Sequence, residues 1–157
     1  GLSQRLNIPR AEAKELIDNY FAKFPTIHGY ITSSIEQARE KGYVSTIKGR
    51  RRPLPDINSR NATVRGYAER NAVNAPIQGS AADIIKIAMV SIHREMKNRG
   101  MASRMIMQVH DELNFDVVPA ELPALRELVT REMEAAYEGK VRLTASVGTG
   151  PDWLSAH

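Results

Sequence analysis

The chain has no cysteine, which excludes disulfides and thiolate metal sites and suits a reducing cytoplasm. No apolar run approaches the roughly 20 residues that a membrane-spanning helix needs. The first ten residues, Gly1 to Arg10, have no apolar core of the signal-peptide kind. Because the first residue is glycine rather than methionine, processing or truncation is expected to have set this N-terminus. There is no internal repeat and no low-complexity segment. What remains is ordinary globular material: 157 residues, 42% hydrophobic and 25% charged, enough for one domain or two small subdomains with a real core.

Charge is unevenly placed. Lys48, Arg50, Arg51, Arg52, Arg60, Arg65 and Arg70 lie in one stretch with only Asp56 and Glu69 as acids, a local net charge of +5 in a chain whose total is +4. Such an excess suits a polyanion, because each phosphate contact releases condensed counterions. A solvated charged face is the plainer alternative.

The first half reads as helical. Ala13, Leu16, Ile17, Tyr20, Phe21 and Phe24 recur at helical spacing, with Pro9 at the first turn and Pro25 as the stop. A second helix is expected from Thr26 as cap, with Ile27, Ile31, Ile35 and Ala38 inward and Gly42 ending it. Val44, Thr46 and Ile47 favour extended backbone. Lys48-Gly49 signals a turn, so a short hairpin should project Arg50, Arg51 and Arg52. Asn58 to Asn74 reads as helix, interrupted at Ala75-Pro76. Ser80 and Asp83 have capping-box spacing at the head of another helix. Its core stripe is Ala81, Ile84, Ile85, Ala88, Ile92 and Met96, and Gly100 closes it.

The last third is mixed. Met105 to Val109 and Glu112 to Val118 read as strands, with Leu113, Phe115 and Val117 on one face. Leu122, Leu125, Val129, Met133 and Ala136 form a helix stripe that Gly139 stops. The alternation of Val141, Leu143, Ala145 and Val147 predicts a third strand. The fold class is therefore α+β, with a small antiparallel sheet built from hairpin, helix and strand packed on helices.

His110 and Asp111 form the turn between the first two of these strands. His and Asp tolerate positive φ, so turn geometry alone could select them. Yet His110, Asp111 and Glu112 are three adjacent ionisable groups between apolar strands. Neighbouring carboxylates repel, and a cation is the simplest offset. A strand-end carboxylate on a rigid hairpin can hold magnesium through oxygen. Phosphoryl-transfer sites use two metals about 4 Å apart. One such carboxylate is half of a site.

The run Gln108-Val109-His110-Asp111-Glu112-Leu113 resembles the third signature motif of family A DNA polymerases, the bacterial DNA polymerase I group. Glu69 to Asp83, with Arg70, Asn74 and Gln78, is similar to the family's long helical signature. Gly42-Tyr43-Val44, Gly49-Arg50-Arg51-Arg52 and Leu54-Pro55-Asp56 resemble its fingers hairpin, and Gly148 to Trp153 its C-terminal end.

The resemblance spans nearly the whole chain in the family's order. It implies a partial fingers subdomain over 1–65 and a C-terminal palm portion over 66–157. It implies Asp111 as a ligand of two catalytic Mg²⁺ ions, Glu112 beside it supporting the site or touching a metal less directly, and His110 near the primer terminus. Arg70, Asn74 and Gln78 would contact primer-template DNA, largely through the minor groove. Their spacing of four suits one helical face, and Asn and Gln amides can read acceptors that all base pairs share. Capping of the Ala75-Pro76 break is the alternative for these three. Arg50, Arg51, Arg52 and Arg65 would be phosphate contacts or surface charges.

The family's other metal-binding aspartate and its dNTP-binding helix belong to segments absent from this sequence. The implied function is therefore a piece of a DNA-directed DNA polymerase, inactive alone and dependent on the remainder of the polymerase chain. A stand-alone DNA-binding module without chemistry is the second reading. No membrane partner is implied, and the expected location is the cytoplasm, at the nucleoid.

Overall fold

The computed structural model describes residues 1–156. In chain order these form helices α1 (Leu2–Leu6), α2 (Arg10–Lys23) and α3 (Pro25–Lys41), then strands β1 (Tyr43–Ser45) and β2 (Arg51–Pro53). Helix α4 (Ala62–Asn98), strands β3 (Arg104–Val109) and β4 (Glu112–Asp116), a 3-10 turn (Pro119–Glu121) and helix α5 (Leu122–Glu134) complete them. The architecture is α+β with two separate two-stranded antiparallel sheets. The chain divides into two compact units, Gly1–Ile77 and Gln78–His157.

In the first unit, Pro25 sits at the start of α3, where its missing N–H costs nothing. Gly42 ends that helix at φ 74, a conformation that suits glycine. The core is small and built on alanine: Ala38 from α3, Val44, Leu54 and Ile57 from the hairpin region, and Ala68, Ala72 and Ala75 from α4. Of the apolar face of α2 only Ala13 is buried. Leu16, Ile17, Tyr20 and Phe24 remain exposed, and Tyr20, Phe21, Phe24 and His28 pair their rings at the α2–α3 junction.

Several helix boundaries differ from those read in the sequence: α3 begins at Pro25, so Thr26 lies inside it and does not cap it. Helix α4 does not break at Ala75-Pro76; Pro76 lies inside it. Proline removes the donor for the carbonyl four residues back and crowds it. Beside that gap the Tyr30 hydroxyl, from α3, donates to the Val73 carbonyl at 3.0 Å. Ala72 and Ala75 are buried in the first core on either side of it. The true N-terminal cap is Asn61, whose Oδ1 accepts from the backbone N–H groups of Thr63 and Val64. Ser80 and Asp83 are consequently mid-helix, not a capping box, and Ser80 is buried. At the far end Gly100 turns at φ 64, while Met101 N–H closes back on the Met96 carbonyl at 3.0 Å.

In the second unit, Ala88, Ile92 and Met96 of α4 pack with Leu125, Leu128, Val129 and Ala136, and Met105, Leu113 and Phe115 of the β3–β4 hairpin lie against them. Glu121 ties the hairpin's base. Its carboxylate accepts from the Ser103 hydroxyl at 2.6 Å and from the N–H groups of Ala102 and Ser103 at 2.9 Å each. The Ser103 hydroxyl oxygen in turn accepts from Val118 N–H. The Ser103 hydroxyl and the two backbone donors hold the Glu121 carboxyl below the usual range.

The third strand expected over 141–147 does not form; no ladder includes these residues. The alternation survives only as burial, with Leu143, Ala145 and Val147 half-buried between exposed neighbours. A strand needs a partner for its backbone, and here the Ala145 N–H is taken by Glu134 Oε1, which also brings Arg142 to Oε2 at 2.9 Å. Helix α5 ends at Glu134, short of Gly139.

Candidate active-site hairpin and nucleic-acid interface

The hairpin in the second unit is tight. Val109 pairs with Glu112, which leaves His110-Asp111 as a two-residue loop. His110 is one of only two non-glycine residues with positive φ, at 52°, among those described. The Gln108 side chain holds this turn: its Nε2 donates to the His110 carbonyl at 2.6 Å. That contact was missed in the sequence, although a glutamine two residues before a left-handed turn residue is within reach of the turn's carbonyls. Asp111 is exposed and Glu112 half-buried. Behind them Leu113, Phe115 and Met105 anchor the strands to the core. A bulge between Met105 and Met107 adds a local kink.

Carboxylate oxygens are the donors magnesium takes, and one or two protein carboxylates commonly suffice because substrate phosphates and water complete its shell. Asp111 and Glu112 fit that requirement. No group of three or more His, Asp or Glu suited to a metal occurs among the described residues.

The basic hairpin in the first unit is a separate construction. Tyr43, Val44 and Ser45 pair with Pro53, Arg52 and Arg51, and Gly49 makes the turn at φ 79. Arg50, Arg51 and Arg52 are all exposed. The Arg51 guanidinium lies over the Tyr43 ring, 4.6 Å from its centroid. Arg65 is more inward: its Nη1 donates to the Ser59 carbonyl at 2.9 Å, and its Nε lies 3.7 Å from Glu69. Glu69 also accepts from Arg39 at 2.6 Å.

On α4, Arg70 and Asn74 are exposed, opposite the face that buries Ala68 and Ala72. They are one turn apart in the first unit, and Gln78, also exposed, continues the spacing along the same helix. Because the helix is unbroken at Pro76, these residues do not cap helix ends.

The second unit thus carries a carboxylate-tipped hairpin and the first an arginine-rich one. The model of DNA polymerase family A matches residues 1–155, and the chain belongs to that family. It is 49% identical over 156 residues to DNA polymerase I of Streptococcus pneumoniae, covering 99% of this chain and 18% of that protein. DNA polymerase I of Mycobacterium tuberculosis is equally similar, with 99% and 17% covered. Among solved structures, the POL domain of Pol1 from M. smegmatis, in complex with DNA primer-template and dNTP, matches with a TM-score of 0.97. Identity there is 48%, and the match covers 99% of this chain and 28% of that one. The chain thus spans less than a fifth of the length of the curated relatives it matches. No helix among the described residues is long and apolar enough to cross a membrane.

Proposed function

We propose that the chain is the fingers-to-palm part of a DNA-directed DNA polymerase that transfers a nucleotidyl group from a dNTP to a primer 3′-hydroxyl. Residues 1–65 serve as part of the fingers and 66–157 as the C-terminal palm. The observation that carries this reading is the His110-Asp111-Glu112 tip, a two-residue loop braced by Gln108 and backed by the second core. A rigid support matters because a catalytic ligand displaced by an ångström loses much of its effect.

Asp111 is the carboxylate that would hold Mg²⁺ at the tip, and Glu112 would support it from the strand. When bound, magnesium neutralises charge on the transferring phosphate. His110 faces the primer terminus. Arg70, Asn74 and Gln78 bind primer-template DNA across the minor groove. Their amides and guanidinium test pair geometry without reading sequence. Arg50, Arg51, Arg52 and Arg65 supply the positive field that draws in the phosphate backbone, Arg65 from a more inward position. The second metal-binding aspartate and the dNTP-binding helix come from the remainder of the polymerase, so the isolated chain is inactive. Its working place is with DNA in the cytoplasm.

A chimera tests this. The chain replaces the matching stretch of the S. pneumoniae enzyme, and primer extension is measured. Magnesium-dependent extension is expected. A chimera that folds and binds primer-template but does not extend it contradicts the proposal.

A further inference from the structure

One exposed side chain on α4 has no part in that reading. Tyr67 is 62% solvent-exposed on a helix whose other face is packed. It stands one turn before Arg70 and two turns before Asn74, so the three lie along one outward face. The Arg70 guanidinium lies 5.8 Å from the centroid of the Tyr67 ring, within the range at which a cation is drawn to an aromatic face. Ala68 and Ala72 turn away into the core. The surrounding stretch carries the chain's local excess of positive charge.

An accessible aromatic ring beside an arginine, in a basic surround, is the composition of a stacking platform for single-stranded nucleic acid. Every base has a π-face, so stacking tolerates any sequence while the cations hold the backbone. We propose that Tyr67 is such a platform: it stacks an unpaired DNA base next to the duplex that Arg70 and Asn74 hold. This rests on the reading of Arg70 and Asn74 as DNA contacts. It adds a role in seating the single strand. The phenol hydroxyl is not needed; the ring is.

The test uses this chain and a primer-template with a 5′ single-stranded overhang carrying 2-aminopurine, whose emission falls when it stacks. Binding is followed in parallel by anisotropy at low salt. The unaltered chain and Tyr67→Phe should bind and quench alike. Tyr67→Leu keeps apolar bulk without a ring; it should lose the quenching and bind roughly tenfold more weakly, with an unchanged melting temperature. Equal quenching and affinity in Tyr67→Leu overturns the platform while leaving the DNA reading intact. Absence of any binding by the unaltered chain overturns both. Tyr67→Ala is a second ringless variant and should behave as Tyr67→Leu does. If either ringless variant melts early and the one that stays folded still quenches, the ring is structural and the proposal fails.

Discussion

The two hairpins of this chain carry opposite charge on the same backbone device. Each is a two-stranded antiparallel ribbon turned at a residue of positive φ, Gly49 in one and His110 in the other. The first carries Arg50, Arg51 and Arg52 and rests on the first core mainly through Val44. The second carries Asp111 and Glu112 and presses Met105, Leu113 and Phe115 into the second core. A cationic ribbon need only lie near a phosphate backbone, since Coulomb attraction tolerates loose geometry. A metal ligand needs a fixed position. The difference in backing matches the difference in the proposed tasks.

Substitutions can break this contrast. In the chimeric polymerase, Asp111→Ala should lower the extension rate on the order of a thousandfold, the weight of several kcal/mol of charge stabilisation. Arg52→Ala should instead leave the rate at saturating DNA nearly unchanged. It should reduce the slope of log affinity against log salt by about one, read from titrations at several salt concentrations. Leu128→Ala, at a fully buried position, should cost about 2–5 kcal/mol in denaturant unfolding of the second unit. Tyr30→Phe removes the donor to the Val73 carbonyl and should cost about 1 kcal/mol; an unchanged denaturation midpoint would show that this bond does not support the helix.

The smallest effect concerns pH. The Glu121 carboxyl is held low by Ser103 and by the Ala102 and Ser103 N–H groups. A folded pKa below the unfolded value means its contribution is complete above the usual glutamate pKa of about 4.3 and drains away as pH falls through the folded value. Stability measured from pH 6 down to pH 3 should therefore fall less steeply in Glu121→Gln than in the unaltered chain.

Much of this was legible in the sequence, for physical reasons that differ by element. Both hairpins were legible because their turns need special φ, and Gly49 and the His110-Asp111 pair announce it. Of the stripe Ala81, Ile84, Ile85, Ala88, Ile92 and Met96, all but the exposed Ala81 turn inward, because burial follows helical period. Pro76 misled, because burial of Ala72 and Ala75 in the first core packs the helix on both sides of it, which no local pattern reveals. Val141 to Val147 misled for a related reason: alternation records which side chains face inward, but a strand also needs a free neighbouring edge. In the site, residue types pointed to Asp111 and Glu112. The Gln108 brace and the inward hydrogen bonding of Arg65 depend on side-chain geometry that the sequence does not carry.

The central claim is that the charge on Asp111, not its place in the turn, serves the chemistry. Asp111→Asn keeps the size and turn preference and removes only the charge. Single-turnover primer extension at saturating primer-template, measured on the chimeric polymerase with DNA affinity determined in parallel, tests this most directly. The expected result is extension near background with affinity within about twofold of the parent, since no DNA contact is lost. Extension within a few-fold of the parent rate would contradict the account.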